Sequence, residues 1–232
     1  MREPATAPQL PSTPRPRIVT IARTLAALAL IGISFLFDAP VERWVTAHQS
    51  LAVVAIARAI SRFSAWPWLM SAAAVCLALA WARRKQEAMR ILIAIMIAAS
   101  IAGLSSDILR GLTGRTRPYA TPAGIARQGW YGVHDGSQWL VGRHAYNSFP
   151  SGHTTTITAL SVTLLLYRRG SGLVLLLGSA VVAGTRVYLG AHHFSDVIAG
   201  AVLGTVIALS VWRWLMTWLL RRFESTGVSL ER

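Results

Sequence analysis

Residues 89–118, MRILIAIMIAASIAGLSSDILRGLTGRTRP, decide the fold. From Met89 to Leu109 apolar side chains run for the length of helix that crosses a bilayer core of roughly 30 Å. The run then ends on Ser105, Ser106 and Asp107, and passes directly into Arg110, Arg115, Arg117 and Pro118. Ionisable groups at such a helix mouth are costly without a task, so this polar exit reads as a helix end opening on a site.

Outward from this run the same pattern repeats. Ile18–Phe37, Trp66–Trp81, Gly152–Tyr167, Gly172–Leu189 and Val197–Leu220 are further apolar runs, which with Met89–Leu109 predict six transmembrane helices. Arg23 is near enough to the start of the first to snorkel, and with no clear small-residue cleavage site after it the run reads as an uncleaved anchor. Between the first two, Asp38–Ser64 mixes charge with Val41, Trp44, Val45, Leu51, Val54 and Ile60, as an amphipathic helix at the interface does. Gly111–Phe149 shows no sustained apolar period and reads as a long functional loop. The expected fold is therefore all-α, a six-helix membrane bundle over residues 18–222. A disordered Pro- and Arg-rich tail at 1–17 and a short tail at 223–232 flank it.

Composition agrees: 53% of the 232 residues are hydrophobic and the mean hydropathy is +0.47. The net charge of +14 would suit a nucleic-acid partner, but the basic residues lie at the ends of apolar segments, so no nucleic acid is expected. Arg83-Arg84-Lys85, Arg168-Arg169 and Arg221-Arg222 fall on one side by span parity with the tail arginines. The positive-inside rule makes that side cytoplasmic, with both termini there and the long loop periplasmic in a bacterial inner membrane. Arg110, Arg115, Arg117, Arg127, Arg143 and Arg186 break the rule, which implies that they have another employment. The single cysteine, Cys76, reads as a small buried hydrophobe.

Three polar clusters lie at the non-cytoplasmic ends of their helices: Arg110-x6-Arg117-Pro118, Pro150-Ser151-Gly152-His153, and Thr185-Arg186-x5-His192-x3-Asp196. Arginine forks bind phosphate oxygens bidentately, and free N–H groups at a helix start such as Ser151-Gly152 bind phosphate as well. Ser151 is placed to cap that helix. His192 and Asp196 are four apart, so on a helix Asp196 would accept from the imidazole and leave the other ring nitrogen free to act. A second histidine, His153, projects towards the same anion as a source of the leaving-group proton. Arg115 is open between phosphate and a lipid headgroup. His193 is expected to be structural or headgroup-facing. His134 and His144 read as exposed loop residues, with a substrate-shaping role as the alternative, and Trp130, Tyr131, Trp139 and Tyr146 read either as lining a headgroup pocket or as anchoring the loop at the interface. Gly200-x3-Gly204 reads as close helix packing within the bundle.

With these residues in place, the chain resembles the type-2 phosphatidic acid phosphatase family, which shares its phosphate pocket with vanadium haloperoxidases and bacterial acid phosphatases. The family signatures are Lys-x6-Arg-Pro, Pro-Ser-Gly-His and Ser-Arg-x5-His-x3-Asp, and all three occur here in order, with Arg110 in the lysine position and Thr185 in the serine position. The resemblance implies that His192 is the nucleophile forming a phosphohistidine, Asp196 its orienting partner and His153 the general acid. Arg110, Arg117, Arg186, Ser151 and the Gly152 backbone would hold the phosphoryl oxygens, without a metal or other cofactor. It implies hydrolysis of a terminal lipid phosphate: undecaprenyl diphosphate, phosphatidylglycerophosphate, phosphatidic acid or lipid A 1-phosphate. Phosphotransfer to a lipid hydroxyl shares the first half-reaction, a non-enzymatic anion-binding or transport protein is the rival from another class, and a haloperoxidase fits poorly in a membrane-embedded chain.

Overall fold

The computed structural model describes residues 16–225 apart from 122, 123 and 125, without the side chains of 16, 17 and 216–225. The expected tail at 1–17 therefore lies almost wholly, and that at 223–232 mostly, outside the described residues. Eight helices follow in order: α1 (Pro16–Ser34), α2 (Asp38–His48), α3 (Leu51–Phe63), α4 (Trp66–Ala82), α5 (Gln86–Thr113), α6 (Gly152–Tyr167), α7 (Arg169–Tyr188) and α8 (Phe194–Ser225).

Every apolar run forms a helix, but the segmentation differs from expectation at two places. The first helix does not end at Phe37: a 3-10 turn at Phe35–Phe37 joins α1 to α2, giving a 31-residue element from Ile18 to His48. The amphipathic stretch 38–64 is thus two helices, α2 and α3, separated at Gln49–Ser50, where the Ser50 hydroxyl accepts from the Val53 N–H and caps α3. Helix α3 meets α4 at a bend of 53°. Among the described residues four helices are long and apolar enough to cross a membrane, or five if α3 and α4 form one broken span. Helix α6, at 16 residues, is shorter than a bilayer core and is the buried centre of the molecule.

Around α6 pack α5, α7 and α8, while α4 covers α5 and α1 leans on α8. Helices α6 and α8 approach closely. A Cβ on Gly204 would stand 2.4 Å from the Thr155 carbonyl oxygen, and one on Gly200 2.8 Å from the Ser151 carbonyl oxygen. The glycine pair therefore packs inside the bundle, as its spacing predicts. The apolar core lies in two groups, one of Met70, Ile91, Ile95, Ala99 and Leu160 and one of Ala98, Ala102, Ala159, Ile207 and Val211. Outward faces stay greasy, with Ile21, Leu25 and Leu28 of α1 and Leu177 of α7 exposed, as for surfaces meant for lipid. Cys76 is exposed rather than buried, because α4 rests on α5 and leaves much of its perimeter facing outward.

The long loop has its own small core. Ala120, Ala126, Leu140 and Tyr146 are buried together, with Tyr119 and Tyr131 against them, and His134–Asp135 pairs with Gln138–Trp139 in a minimal hairpin. It sits over the ends of α5, α6, α7 and α8 that carry the three clusters.

Candidate active site

Helix α5 delivers Arg110 in its last turn and stops at Thr113, where Gly114 adopts the left-handed φ of 55°. A Cβ there would stand 2.0 Å from the Gly132 carbonyl oxygen, so the stop requires glycine. Arg110 and Arg117 therefore do not share a helical face. Arg117 arrives on extended chain, its N–H donating to Ala145 O (2.9 Å) and its Nη2 to Asn147 O (3.0 Å). Arg110 pairs with Asp107, and its guanidinium lies over Gly152, where a Cβ would come within 3.1 Å of Nη1. That contact gives the glycine of the second cluster its reason.

Arg115 is engaged inside the protein. It is buried, donates to Asp38 (2.6 Å), Asp196 (2.5 Å) and Ser195 Oγ (2.7 Å), and lies over the rings of Phe35 and Trp130. Ser151 precedes α6 as expected, but its hydroxyl makes no capping bond. Its N–H donates to the Asp196 carbonyl (2.9 Å), and its Oγ accepts from Thr154 (3.1 Å). These bonds tie the second cluster to the third. The Phe149–Pro150 peptide bond before it is cis.

In the third cluster Arg186 ends α7 and donates to the Ser61 hydroxyl of α3, while the Thr185 hydroxyl returns to the Val182 carbonyl (2.7 Å). His192 is not on a helix, since α8 starts at Phe194. Its Nδ1 donates to the Ser148 carbonyl at 2.8 Å, and Asp196 Oδ2 stands 3.6 Å away, beyond hydrogen-bond range. The direct Asp196–imidazole hydrogen bond expected from spacing is therefore replaced by a backbone carbonyl. Asp196 instead accepts from Ser148 Oγ (2.5 Å), the His193 N–H (2.8 Å) and Arg115, and acts on the ring by charge. With Nδ1 occupied, Nε2 of His192 is the free nitrogen, buried and without a hydrogen-bond partner. His193 is structural: Nε2 donates to the Thr116 carbonyl at 3.1 Å.

The electrostatics are lopsided. The Nε atoms of Arg110, Arg117 and Arg186 are all buried without a partner, and among the described residues Arg117 and Arg186 have no carboxylate within ion-pair range. Burial pushes His192 down to about 4; the Asp196 carboxylate opposes this, and the positive Arg117 and Arg186 reinforce it. The imidazole is therefore neutral at neutral pH, with an available lone pair on Nε2. His144, at the loop edge, is lowered by burial and then by Arg117, Arg186 and Arg110, which shows how closely the three cations crowd. Unpaired buried guanidinium groups are costly, and an anion with several oxygens would satisfy them.

Arg110, Gly152 and His153 line a cleft of about 460 Å³ closed on its far wall by Trp66, Pro67 and Gly103. His192 and His193 line a second cavity of about 420 Å³ with Asp38, Glu42 and Tyr119. Tyr119 and His144 bond to one another at 2.6 Å, Trp130 packs on Phe35 and Phe149, Tyr131 stacks edge-on against Tyr146, and His134 does so on Trp139. These loop residues build the loop. Asp38, Ser61 and Ser148 were not foreseen. Ser148 could have been suspected from its place just before Pro150, and Asp38 from being an acid at the end of an apolar run; Ser61 carries no signal.

Residues 88–219 match the family model described as the PAP2 superfamily. The lipid A 1-phosphatase of Rhizobium etli is 30% identical over 194 residues, 78% of this chain and 77% of that protein. The bacitracin transport permease protein BcrC of Bacillus licheniformis is 27% identical over 144 residues, 62% of this chain and 65% of that protein, so the chain spans just under two thirds of that relative's length. Among solved structures, the transmembrane PAP2 type phosphatidylglycerolphosphate phosphatase of Bacillus subtilis superimposes with a TM-score of 0.57 at 16% identity, over 85% of this chain and 96% of that one. At that identity the likeness concerns the fold.

Proposed function

We propose that this chain, which belongs to the PAP2 superfamily, is an integral membrane phosphatase that removes a terminal phosphate from a lipid phosphate or diphosphate through a phosphohistidine. The observation that carries this reading is that three arginine Nε atoms and His192 Nε2 are among the buried polar atoms with no partner. Three cations and one neutral nucleophile in one place have the composition of a phosphoryl-transfer site.

In the proposed first step Nε2 of His192 attacks phosphorus and the bond to the lipid oxygen breaks. The electron pair goes to that oxygen, which takes a proton from His153; burial and Arg186 disfavour the imidazolium, and the negative charge of a bound phosphate favours it. Arg110, Arg117, Arg186, the Ser151 hydroxyl and the Gly152 N–H hold the phosphoryl oxygens, whose charge spreads outward in the transition state. The Ser148 carbonyl keeps the Nδ1 proton in place, so Nε2 remains the nucleophile, and the Asp196 carboxylate stabilises the charge that the ring acquires. Water then cleaves the phosphorus–nitrogen bond with His153 as base. Arg110 in place of lysine supplies a planar fork over Gly152.

The similarity to a lipid A 1-phosphatase supports lipid A 1-phosphate as one of the four headgroups to test. Placement of the site on the periplasmic side, with the Arg83-Arg84-Lys85 and Arg168-Arg169 ends cytoplasmic, is supported by the positive-inside rule. The test is phosphate release by purified protein in detergent from lipid A 1-phosphate, undecaprenyl diphosphate, phosphatidylglycerophosphate and phosphatidic acid, with and without EDTA. Release from at least one lipid, retained in EDTA, inhibited by vanadate and lost in His192→Ala, is expected. Release by none, or activity that a chelator removes and a metal restores, refutes the reading.

A further inference from the structure

We propose that Asp38, at the junction of α1 and α2, is a positioning residue for the phosphoryl-transfer site, holding Asp196 in place through Arg115 and Ser195. The inference rests on the phosphatase reading above and adds to it a residue outside the three clusters.

The contacts form a closed set. Asp38 Oδ1 accepts from the Ser195 N–H (2.8 Å), and Oδ2 accepts from the Ser195 hydroxyl (2.6 Å) and from Arg115 Nη2 (2.6 Å). Asp38 thus takes up an unpaired donor of the first turn of α8 from another part of the chain, one residue before Asp196. Arg115 spends its other arm, Nη1, on Ser195 Oγ (2.7 Å) and Asp196 Oδ1 (2.5 Å). Its guanidinium is 5.0 Å from the Phe35 ring centre and 4.8 Å from that of Trp130, which leaves it little room to turn.

The far side of Asp196 explains why this matters for chemistry. Oδ2 is held by the Ser148 hydroxyl (2.5 Å), and the carbonyl of the same Ser148 holds His192 Nδ1 (2.8 Å). A displacement of Asp196 therefore moves Ser148, and with it the ring that must attack in line. Because Arg115 is shared, neither carboxylate has both arms of the fork. Without the charge on Asp38, Arg115 would close both arms on Asp196, the preferred bidentate geometry, and draw it away from Ser148 and His192.

Stability alone is a poor reason for the arrangement. A buried group of two carboxylates and one guanidinium carries a net negative charge that the neighbouring Arg117 balances only across a distance and without an ion pair, and hydrophobic replacements of buried ion networks are often as stable or more so. A residual negative charge is useful where an adjacent imidazole becomes cationic and phosphorylated.

The test uses the full chain in detergent, with turnover counted per folded molecule by size exclusion. For Asp38→Asn, kcat should fall about 10- to 100-fold, the order expected for a misplacement approaching 1 Å, while KM and the inhibition constant of inorganic phosphate stay within about threefold. Ser195→Ala, which alters no charge and removes one hydroxyl, should show the same split with a smaller loss, and decides the matter if Asp38→Asn does not fold. Asp38→Asn combined with Arg115→Gln should lose little more than Arg115→Gln alone, because the two act in series. If kcat stays within about twofold of wild type in both Asp38→Asn and Ser195→Ala while His192→Ala is inactive, the positioning role is overturned and the phosphatase reading stands. A rise in KM matching the loss in kcat/KM also overturns it, since that marks a ground-state contact. Turnover by His192→Ala would instead bring down the reading beneath it.

Discussion

Replacing Gly204 by alanine tests whether the contact between α6 and α8 sets the geometry of the site. The added Cβ would stand 2.4 Å from the Thr155 carbonyl oxygen and 3.0 Å from the Ala159 nitrogen, both backbone atoms of α6. Ordinary contact begins at 3.4 Å, 1.0 Å beyond the 2.4 Å to the Thr155 oxygen, so the helices must part by close to 1 Å. Overpacking of this kind costs about 1–3 kcal/mol. Ser151 and His153 flank the first residue of α6, Gly152, and Asp196 lies in the first turn of α8, so the same displacement opens the site. A misplacement of ~1 Å can cost about a hundredfold in rate. Gly184→Ala on α7 is the control: nothing lies within 4 Å of its Cβ, and relief of glycine's backbone entropy should stabilise the helix by roughly 0.5–1 kcal/mol without changing turnover. Thermal unfolding in detergent and phosphate release measure both. Equal unfolding midpoints and equal rates for the two variants would show that the contact between α6 and α8 does not set the site.

Other consequences follow from individual residues. His153→Ala should slow release from lipid phosphates far more than from an aryl phosphate, whose leaving group needs less protonation; equal losses on both substrates would remove its general-acid role. Acidification should destabilise the fold through His192. Its folded value of about 4 lies below the ordinary 6.5, so the unfolded chain takes up the proton first. That contribution is complete above pH 6.5 and is lost as pH falls towards 4, in all about 3 kcal/mol, and His192→Gln should flatten the fall in unfolding midpoint across that window. Topology is open to labelling: in a Cys76→Ser background, cysteine at exposed Ser137 in the loop should react with an impermeant thiol reagent in spheroplasts, and cysteine at Gly170 should not. The reverse pattern would invert the bundle.

The helices were legible because apolar runs of bilayer length have few alternatives. Met89–Leu109 became the core of α5, and Gly152–Tyr167 became α6 without change. What periodicity did not reveal was continuity: Phe35–Phe37 turns without breaking, so α1 runs on into α2 and brings Asp38 to the site. The three clusters gave the arginines and both histidines, since fixed spacings within one segment constrain geometry. They misled about His192 and Asp196, because four-residue spacing implies a shared face only inside a helix, and α8 begins between them. Arg115, Ser61 and Asp38 took their roles from partners 77 to 157 residues away, a distance at which no local pattern operates.

The central claim is that Nε2 of His192 accepts the phosphoryl group. Purified protein mixed with lipid carrying a radiolabelled terminal phosphate, quenched in alkali where phosphohistidine survives, and mapped by peptide mass spectrometry tests it directly. Label is expected on the peptide bearing His192, attached through Nε2, and none in His192→Ala. Steady release of phosphate with label on another residue, or with label undiminished in that variant, would contradict it.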